Sequence, residues 1–453
     1  MGYDRVPKSG IVQTNYGKDR ITRFQADRIA IVTAATSKHS LDTFLGLAGG
    51  IEPSRRHLGV VQPKGVVLGR IPAAPTFHPG FLAAPSRRVS SPVKIAIIAH
   101  LKFPIAQPFS GGLEMHTHFL ASALRARGHS VTLYASEGSQ ADLGLVAVCP
   151  PTGTAFDAAS ALAIDRLEGQ AYETIMDAVA RGGFDIVHNN SLHPLPLLRA
   201  PEIGATMVTA LHTPPFEPFC EGVRARAYDM TFAAVSDSLA AEWCDVIPRP
   251  LLIGNGIDLD AFAFNPRPKD PPHAIWTGRL VPEKGPHLAI DAARAAGLPL
   301  VFAGPRSDPA YWDSMIAPRL GPDVTYLGHL SHADLARRVG EAHVTLCSPR
   351  WEEPFGLVVA ESLACGTPVA AFGRGAIPDI LDGSCGVLAK ADDVADLGRA
   401  VAEAIGLERQ ACRRRAEQLF DANIMTDRYE ALYAEEIRLA APSPLRAHLL
   451  DEA

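Results

Sequence analysis

Residues 93–99 read Val-Lys-Ile-Ala-Ile-Ile-Ala, a short apolar run rich in β-branched side chains. Such a run suits a strand covered on both faces, as in a parallel sheet. A loop ending in Gly111-Gly112 leads into helical periodicity over 113–127, a glycine stop at Gly128 and a second strand-like run at 130–135. The same alternation returns with apolar runs at 186–188, 207–211 and 232–235. This pattern predicts a doubly wound α/β domain over 93–255. The chain then passes through Gly254-Asn255-Gly256-Ile257-Asp258 into a Pro-rich stretch, so 256–272 reads as a linker. A second series of strands is expected at 274–277, 298–303, 324–327, 343–347 and 368–372, giving a second α/β domain over 273–424. Ser331 and Asp334 have the spacing of a helix N-terminus. A last helix over 425–440 and a tail over 441–453 complete the plan. In open sheets of this kind ligands bind beyond the carboxyl ends of the strands, so functional residues are expected just after strands, facing an interdomain cleft.

Composition narrows the function. The 453 residues carry a formal charge of −6, with 47% hydrophobic and 20% charged side chains, which excludes whole-chain disorder. Residues 1–92 differ from the rest: they hold 13 Lys and Arg against 5 Asp and Glu, with scattered Pro and Gly and no sustained period. They are expected to be a disordered extension or an over-extended gene start, and no signal peptide is read in them. The remaining chain is acidic, its arginines dispersed among acids, which argues against nucleic acid as a partner. Seven cysteines without a Cys-x-x-Cys pair suggest a reducing, cytoplasmic setting and no zinc site.

The strongest chemical signal is Ser348-Pro-Arg-Trp-Glu-Glu-Pro-Phe-Gly-Leu-Val-Val-Ala-Glu361, directly after an expected strand. Glu353 and Glu361 stand eight residues apart. If the segment from Gly356 is helical, a rise of roughly 1.5 Å per residue sets the two carboxylates on the order of 12 Å apart, close to the reach of a sugar-diphosphate-ribose ligand. Unpaired N–H groups at Gly356 and Leu357 would meet the diphosphate between them. A bare pair of glutamates on a solvated helix has no such meaning. Here the pair is followed by Ser362-Leu-Ala-Cys-Gly-Thr-Pro-Val369.

The whole string resembles the retaining nucleotide-sugar glycosyltransferases of glycosyltransferase family 4, and the likeness extends from about residue 93 to the last helix. A second matching element is Thr277-Gly-Arg-Leu-Val-Pro-Glu-Lys-Gly285, in which Arg279 offers a planar fork and Lys284 a point charge to a diphosphate. Ser110-Gly111-Gly112-Leu113-Glu114 would allow close backbone approach, though it lacks the spacing of a dinucleotide-binding loop. His212, after the 207–211 strand, corresponds to a histidine near the reacting centre in similar enzymes. Asn255 and Gly256 resemble the family's interdomain turn near the donor, and an Asn-Gly hinge accounts for them equally well. His188 and His193 could orient an acceptor or cap loops, and Ser236 reads as a helix cap.

The resemblance implies a GT-B architecture and transfer of a hexosyl group with retention. It assigns His212, Arg279, Lys284 and Glu353 to catalysis. It assigns Gly111, Gly112, Asn255, Gly256, Arg279, Lys284, Glu353, Phe355, Gly356, Leu357 and Glu361 to the donor. No cofactor is expected, and no essential metal: Asp258-Leu-Asp260 lies in the linker rather than in a metal-type motif. The expected partners are a nucleotide-sugar, with UDP-glucose ahead of GDP-mannose, and an acceptor that the sequence does not identify. A lipid acceptor would bring peripheral contact with the inner membrane face. Phe103, Phe109, Phe216 and Phe219 could line an apolar acceptor site or pack their loops. Competing readings are another two-domain sugar enzyme, such as a phosphorylase or an epimerase, and a non-catalytic nucleotide-sugar-binding protein.

Overall fold

The computed structural model describes residues 91–248 and 250–441, and the basic segment expected to be an extension lies almost entirely outside the described residues. The first sheet comprises β1 (Lys94–Ala99), β2 (Ser130–Ala135), β3 (Leu145–Ala147), β4 (Ile186–Asn190), β5 (Thr206–Leu211), β6 (Thr231–Ala234) and β7 (Leu251–Leu252). Its order is β3-β2-β1-β4-β5-β6-β7 and every pairing is parallel. The second sheet comprises β8 (Ala274–Thr277), β9 (Leu300–Ala303), β10 (Val324–Tyr326), β11 (Val344–Cys347), β12 (Val369–Phe372) and β13 (Gly386–Ala389). It is also parallel, in the order β10-β9-β8-β11-β12-β13. Each sheet reverses its winding once, between β1 and β4 and between β8 and β11. Those two switch points open a crevice at the strand ends.

The strands form where apolar runs are buried on both sides. Ile95, Ile97 and Ile98 are fully inaccessible, as are Leu346 and Phe372 in the second sheet. The first helix, Gly112–Ala126, buries Met115, Leu120 and Leu124 against the first sheet and ends at Arg127 and Gly128, the latter at φ +90°. Several elements escaped the sequence pattern, among them the two-residue strand β7. The 24-residue helix Ala158–Arg181 has Asp157 and Ser160 in a reciprocal capping box, yet buries side chains only from Ala171 onward. Strands β3 and β13 are short and partly exposed.

The chain crosses between the domains twice, side by side. Ile257 N donates to the Phe420 carbonyl at 2.7 Å, and Ala422 N donates to the Ile257 carbonyl at 3.0 Å. The 258–273 stretch is anchored as well: Arg413 donates to the Leu259, Phe262 and Ala364 carbonyls, and Arg409 to those of Asn265 and Gly340. The last helix, Ala422–Ala440, begins earlier than expected because Asp421 caps it, and it belongs to the first domain. Its Met425, Tyr429 and Tyr433 share a core with Ile95, Ile97 and Leu120. Its polar edge is fastened by Arg127, 2.6 Å from Asp427 and 2.9 Å from Glu430, and by His129, 2.9 Å from Glu430.

Candidate functional site

The loops after β8 and β11 are stitched together because those strands are neighbours at the switch point. Ser348 Oγ donates to the Gly285 carbonyl at 2.9 Å and accepts from Trp276 Nε1 at 3.2 Å, while Arg350 N donates to the Glu283 carbonyl. Gly285 turns at φ +62°, where a Cβ would collide with the Ser348 carbonyl. The turn after β12 fixes the other side of the β11 loop. Ala376 N donates to the Glu353 carbonyl at 2.8 Å, and Glu352 accepts from Gly375 N at 2.7 Å.

These contacts hold Glu353 in a cleft of about 420 Å³. Lys284 Nζ lies 2.6 Å from Glu353 Oε2, and Trp351 Nε1 donates to the same oxygen at 3.0 Å. The lysine also sits over the Trp351 ring, 4.7 Å from its centroid. Arg279 is more open, its side chain 41% exposed, with only a 3.7 Å approach to Glu283. Gly356 enters the site helix Leu357–Ala364 in the left-handed region, at φ +88° and ψ +50°. The helix therefore starts at Leu357, later than a helix spanning the whole Glu353–Glu361 interval, and Glu353–Gly356 is not helical. The first-turn N–H groups of Leu357 and Val358 have no intrahelical acceptor, and both residues line the cleft. Glu361, buried on the same helix, has its pKa raised by that burial to about 8.

The facing wall is built by the first domain. His100 directly follows β1, and its Nε2 lies 3.0 Å from Glu114 Oε1; both side chains are buried. Burial pushes the Glu114 pKa up, but hydrogen bonding and charge from His100, its own backbone N–H and the Arg279 charge outweigh this and lower it. His212 follows β5 and lines the cleft. Burial, reinforced by the charges of His188 and His100, lowers its pKa to about 3, so it is neutral. The two domains meet across the cleft where Ser236 Oγ donates to the Pro354 carbonyl at 2.6 Å; Ser236 also caps the following helix by accepting from Leu239 N.

Gly111, Gly112, Asn255, Phe355, Gly356, Leu357 and Glu361 line the same cleft as His212, Arg279, Lys284 and Glu353. Gly112 backs onto Leu357, and Phe355 is mostly core, edge-on to Phe420 at 5.7 Å. Gly256 is placed differently from Asn255. It is absent from the cleft lining and backs onto the last helix, where a Cβ would strike Ala422, so its small size serves the crossing between domains. Among the aromatic candidates Phe103 and Phe109 line the cleft. Phe219 is core, with Phe216 stacked on it at 5.6 Å. His193 caps a short helix through Leu195 N and stacks on Tyr172, and His188 is fully buried. Sequence reasoning assigned no role to His100, Glu114, Asn190 or Trp351. The signal for the first two was present: a histidine ending a strand, and an acid in the first turn after the double glycine. No cluster of three metal-ligating side chains occurs among the described residues.

Two switch-point crevices facing one another, with cations and acids after β8 and β11 and a neutral histidine after β5, define a GT-B sugar-transfer fold. Comparison with known proteins gives the family. Residues 110–261 match the model for glycosyltransferase family 4, and residues 259–419 match glycosyl transferases group 1. The chain is therefore a GT-B glycosyltransferase of the family-4 type. It is 27% identical to the D-inositol 3-phosphate glycosyltransferase of Mycobacterium tuberculosis, over 75% of this chain and 80% of that one. Among solved structures it resembles the sucrose-phosphate synthase of Thermosynechococcus elongatus, with a TM-score of 0.63 and 20% identity over 76% of this chain and 98% of that one. It also resembles Anabaena Alr3699/HepE, solved with UDP and glucose, with a TM-score of 0.59 and 16% identity over 76% and 100% of the two chains.

Proposed function

We propose that the chain transfers a hexosyl group from a nucleoside-diphosphate sugar, UDP-glucose or a close analogue, to an acceptor with retention at the anomeric carbon. The observation that carries this reading is the convergence of Arg279, Lys284, Glu353 and Glu361 with His212 on one cleft. The ordering of the cleft fits an extended donor. Glu361 is the most buried of these charged residues and would take the ribose hydroxyls. Arg279, Lys284 and the N–H groups of Leu357 and Val358 would hold the diphosphate, and Glu353 would accept from sugar hydroxyls.

Docking of the donor replaces contacts that exist without it. Lys284 leaves the Glu353 carboxylate for a phosphate oxygen, which frees Glu353 for the sugar. As the bond from the anomeric carbon to the phosphate oxygen breaks, its electron pair stays on the diphosphate, whose growing charge the two cations and the helix N-terminus stabilise. The acceptor oxygen attacks from the leaving-group face and forms the new glycosidic bond, and its proton passes to the released diphosphate oxygen. This assigns to protein groups the charge stabilisation that a divalent cation supplies in other transferases. Supporting the donor class, the Anabaena relative was solved with UDP and glucose.

The test is thermal stabilisation of the full chain by UDP, GDP, ADP and their sugars with magnesium chelated, followed by transfer assays with the donor that stabilises most. A selective shift with subsequent transfer supports the reading. A shift without turnover over a broad acceptor panel would favour a binding protein, and no shift with any nucleotide would defeat both.

A further inference from the structure

Behind His212 runs a chain of hydrogen bonds in which every donor and acceptor is determined. Thr117 Oγ1 donates to the Leu113 carbonyl at 2.8 Å, so towards its other neighbour it accepts, and Asn190 Nδ2 donates to it at 3.2 Å. The Asn190 amide is thereby oriented, with Oδ1 facing two imidazoles: His188 Nε2 at 3.0 Å and His212 Nε2 at 3.2 Å. An amide oxygen only accepts, so both Nε2 atoms carry protons. The remaining nitrogen of His188 must then accept, and Tyr433 Oη, 2.7 Å from His188 Nδ1, donates to it. His188, Asn190, Thr117 and Tyr433 are all buried. Burial lowers the His188 pKa to about 4 and raises that of Tyr433 well above its usual value, in keeping with a neutral ring and an intact phenol.

We infer that Asn190 is the positioning residue of the transfer site: oriented by Thr117 at one end and by Tyr433 through His188 at the other, it fixes His212 as the Nε2–H tautomer and leaves Nδ1 as the acceptor nitrogen of a neutral imidazole. This rests on the reading of His212 as a residue of the transfer site. A ring free to exchange tautomers would present a donor to the substrate part of the time. The chain removes that state, and it ties the tautomer to the last helix, which reaches the first domain only after the second domain is complete.

The tautomer can be read without turnover. The full chain labelled with ¹⁵N-histidine gives imidazole nitrogen shifts that separate protonated from bare ring nitrogens, with the His212 signals assigned through the His212→Gln variant. Between pH 6 and 8 the native protein should show His212 protonated at Nε2 and bare at Nδ1. Asn190→Leu should convert it to a mixture and lower kcat by about 100-fold with less than about a twofold change in donor KM. Asn190→Asp keeps an acceptor in place, so it should keep the Nε2–H tautomer and recover much of the rate. If Asn190→Leu does not fold, the Thr117→Val, Tyr433→Phe double variant releases the amide at both ends at nearly constant volume and should also yield a mixture. An Nδ1–H tautomer in the native protein, or an unchanged tautomer in Asn190→Leu or in the Thr117→Val, Tyr433→Phe double variant, would overturn the inference. Failure of the native chain to transfer from any nucleotide-sugar would instead defeat the transfer reading, because the spectrum decides the tautomer independently.

Discussion

The two walls of the cleft are built on opposite electrostatic plans. On the second-domain wall Lys284, Glu353 and Arg279 are partly exposed, with side-chain accessibilities of 23%, 14% and 41%. Lys284 and Glu353 are each other's partners, so the arrangement present without ligand is one that a donor must break, while Arg279 has only Glu283 at 3.7 Å. On the first-domain wall His212 is neutral, and its partners are already those it will keep. Charge stabilisation is needed where the leaving group departs, and cations that can be recruited suit that task. A group placed beside the sugar gains nothing from mobility, and burial with fixed partners suits it. Both walls stand at switch points of parallel sheets, so the contrast comes from side chains and not from topology.

The largest expected effect follows from removing the acid on which the second wall converges. Glu353→Ala should lower kcat/KM by about 1000-fold or more, because the sugar loses its acceptor and Lys284 its counter-ion. The melting temperature should stay within a few degrees, since the loop is held by the backbone bonds from Ala376. Near-normal turnover would break the assignment. Next in size is Lys284→Ala, expected to cost roughly 100-fold in kcat with a smaller change in KM, in the range found when one preorganised stabilising contact is deleted. An equal loss in kcat from Arg279→Ala, which starts with only a distant partner, would show that recruitment from Glu353 is not what distinguishes the lysine.

A structural perturbation should separate the acid from its mounting. Gly375 adopts φ +56° and faces the backbone of Glu352 and Glu353, where a Cβ would collide. Gly375→Ala is expected to cost about 2 kcal/mol of stability and to lower transfer by displacing Glu353, although the catalytic side chains are unchanged. Chemical denaturation together with donor titration checks both. Unchanged donor affinity in a destabilised variant would disconnect the β12 turn from the site.

These contrasts explain what could be read from the chain. The apolar runs of β1, β8 and β11 are buried on both faces, so their periodicity is unmixed; the ends of β8 and β11 locate Arg279 and Glu353, and the end of β1 carried the unread signal for His100. The acid pair, the cation pair and the double glycine lie within short segments. The first-domain chain was invisible for the opposite reason. Its members come from the first helix, β4, the end of β5 and the last helix, and the Tyr433–His188 contact spans 245 residues. Asn190 is unremarkable beside Asn189 until Thr117 and His212 are set next to it. The helix Ala158–Arg181 was missed because its first half is largely exposed, with only Leu167 packed in part against the core, even though its capping box was in plain sequence. Gly256 was assigned to the donor with Asn255 because the pair resembles the family's interdomain turn; the glycine is held against Ala422, more than 160 positions away.

The smallest expected change concerns the one member of the second wall that does not follow its plan. Glu361 is buried and holds its proton to about pH 8, against 4.5 for an unperturbed glutamate. The sign follows from which state binds more protons. Between about pH 4.5 and 8 the unfolded chain ionises this group while the folded chain retains the proton, so its contribution to stability is fully present below that window and is lost as pH rises through it. Glu361→Gln removes the linkage. Its melting temperature should therefore differ little from the native value at pH 5 and exceed it by a few degrees at pH 8 to 9. The same variant should bind nucleotide more weakly if the carboxyl meets the ribose. A melting-temperature difference that does not vary with pH would mean that Glu361 is ionised in the folded protein, and the second wall would then be charged along its whole length.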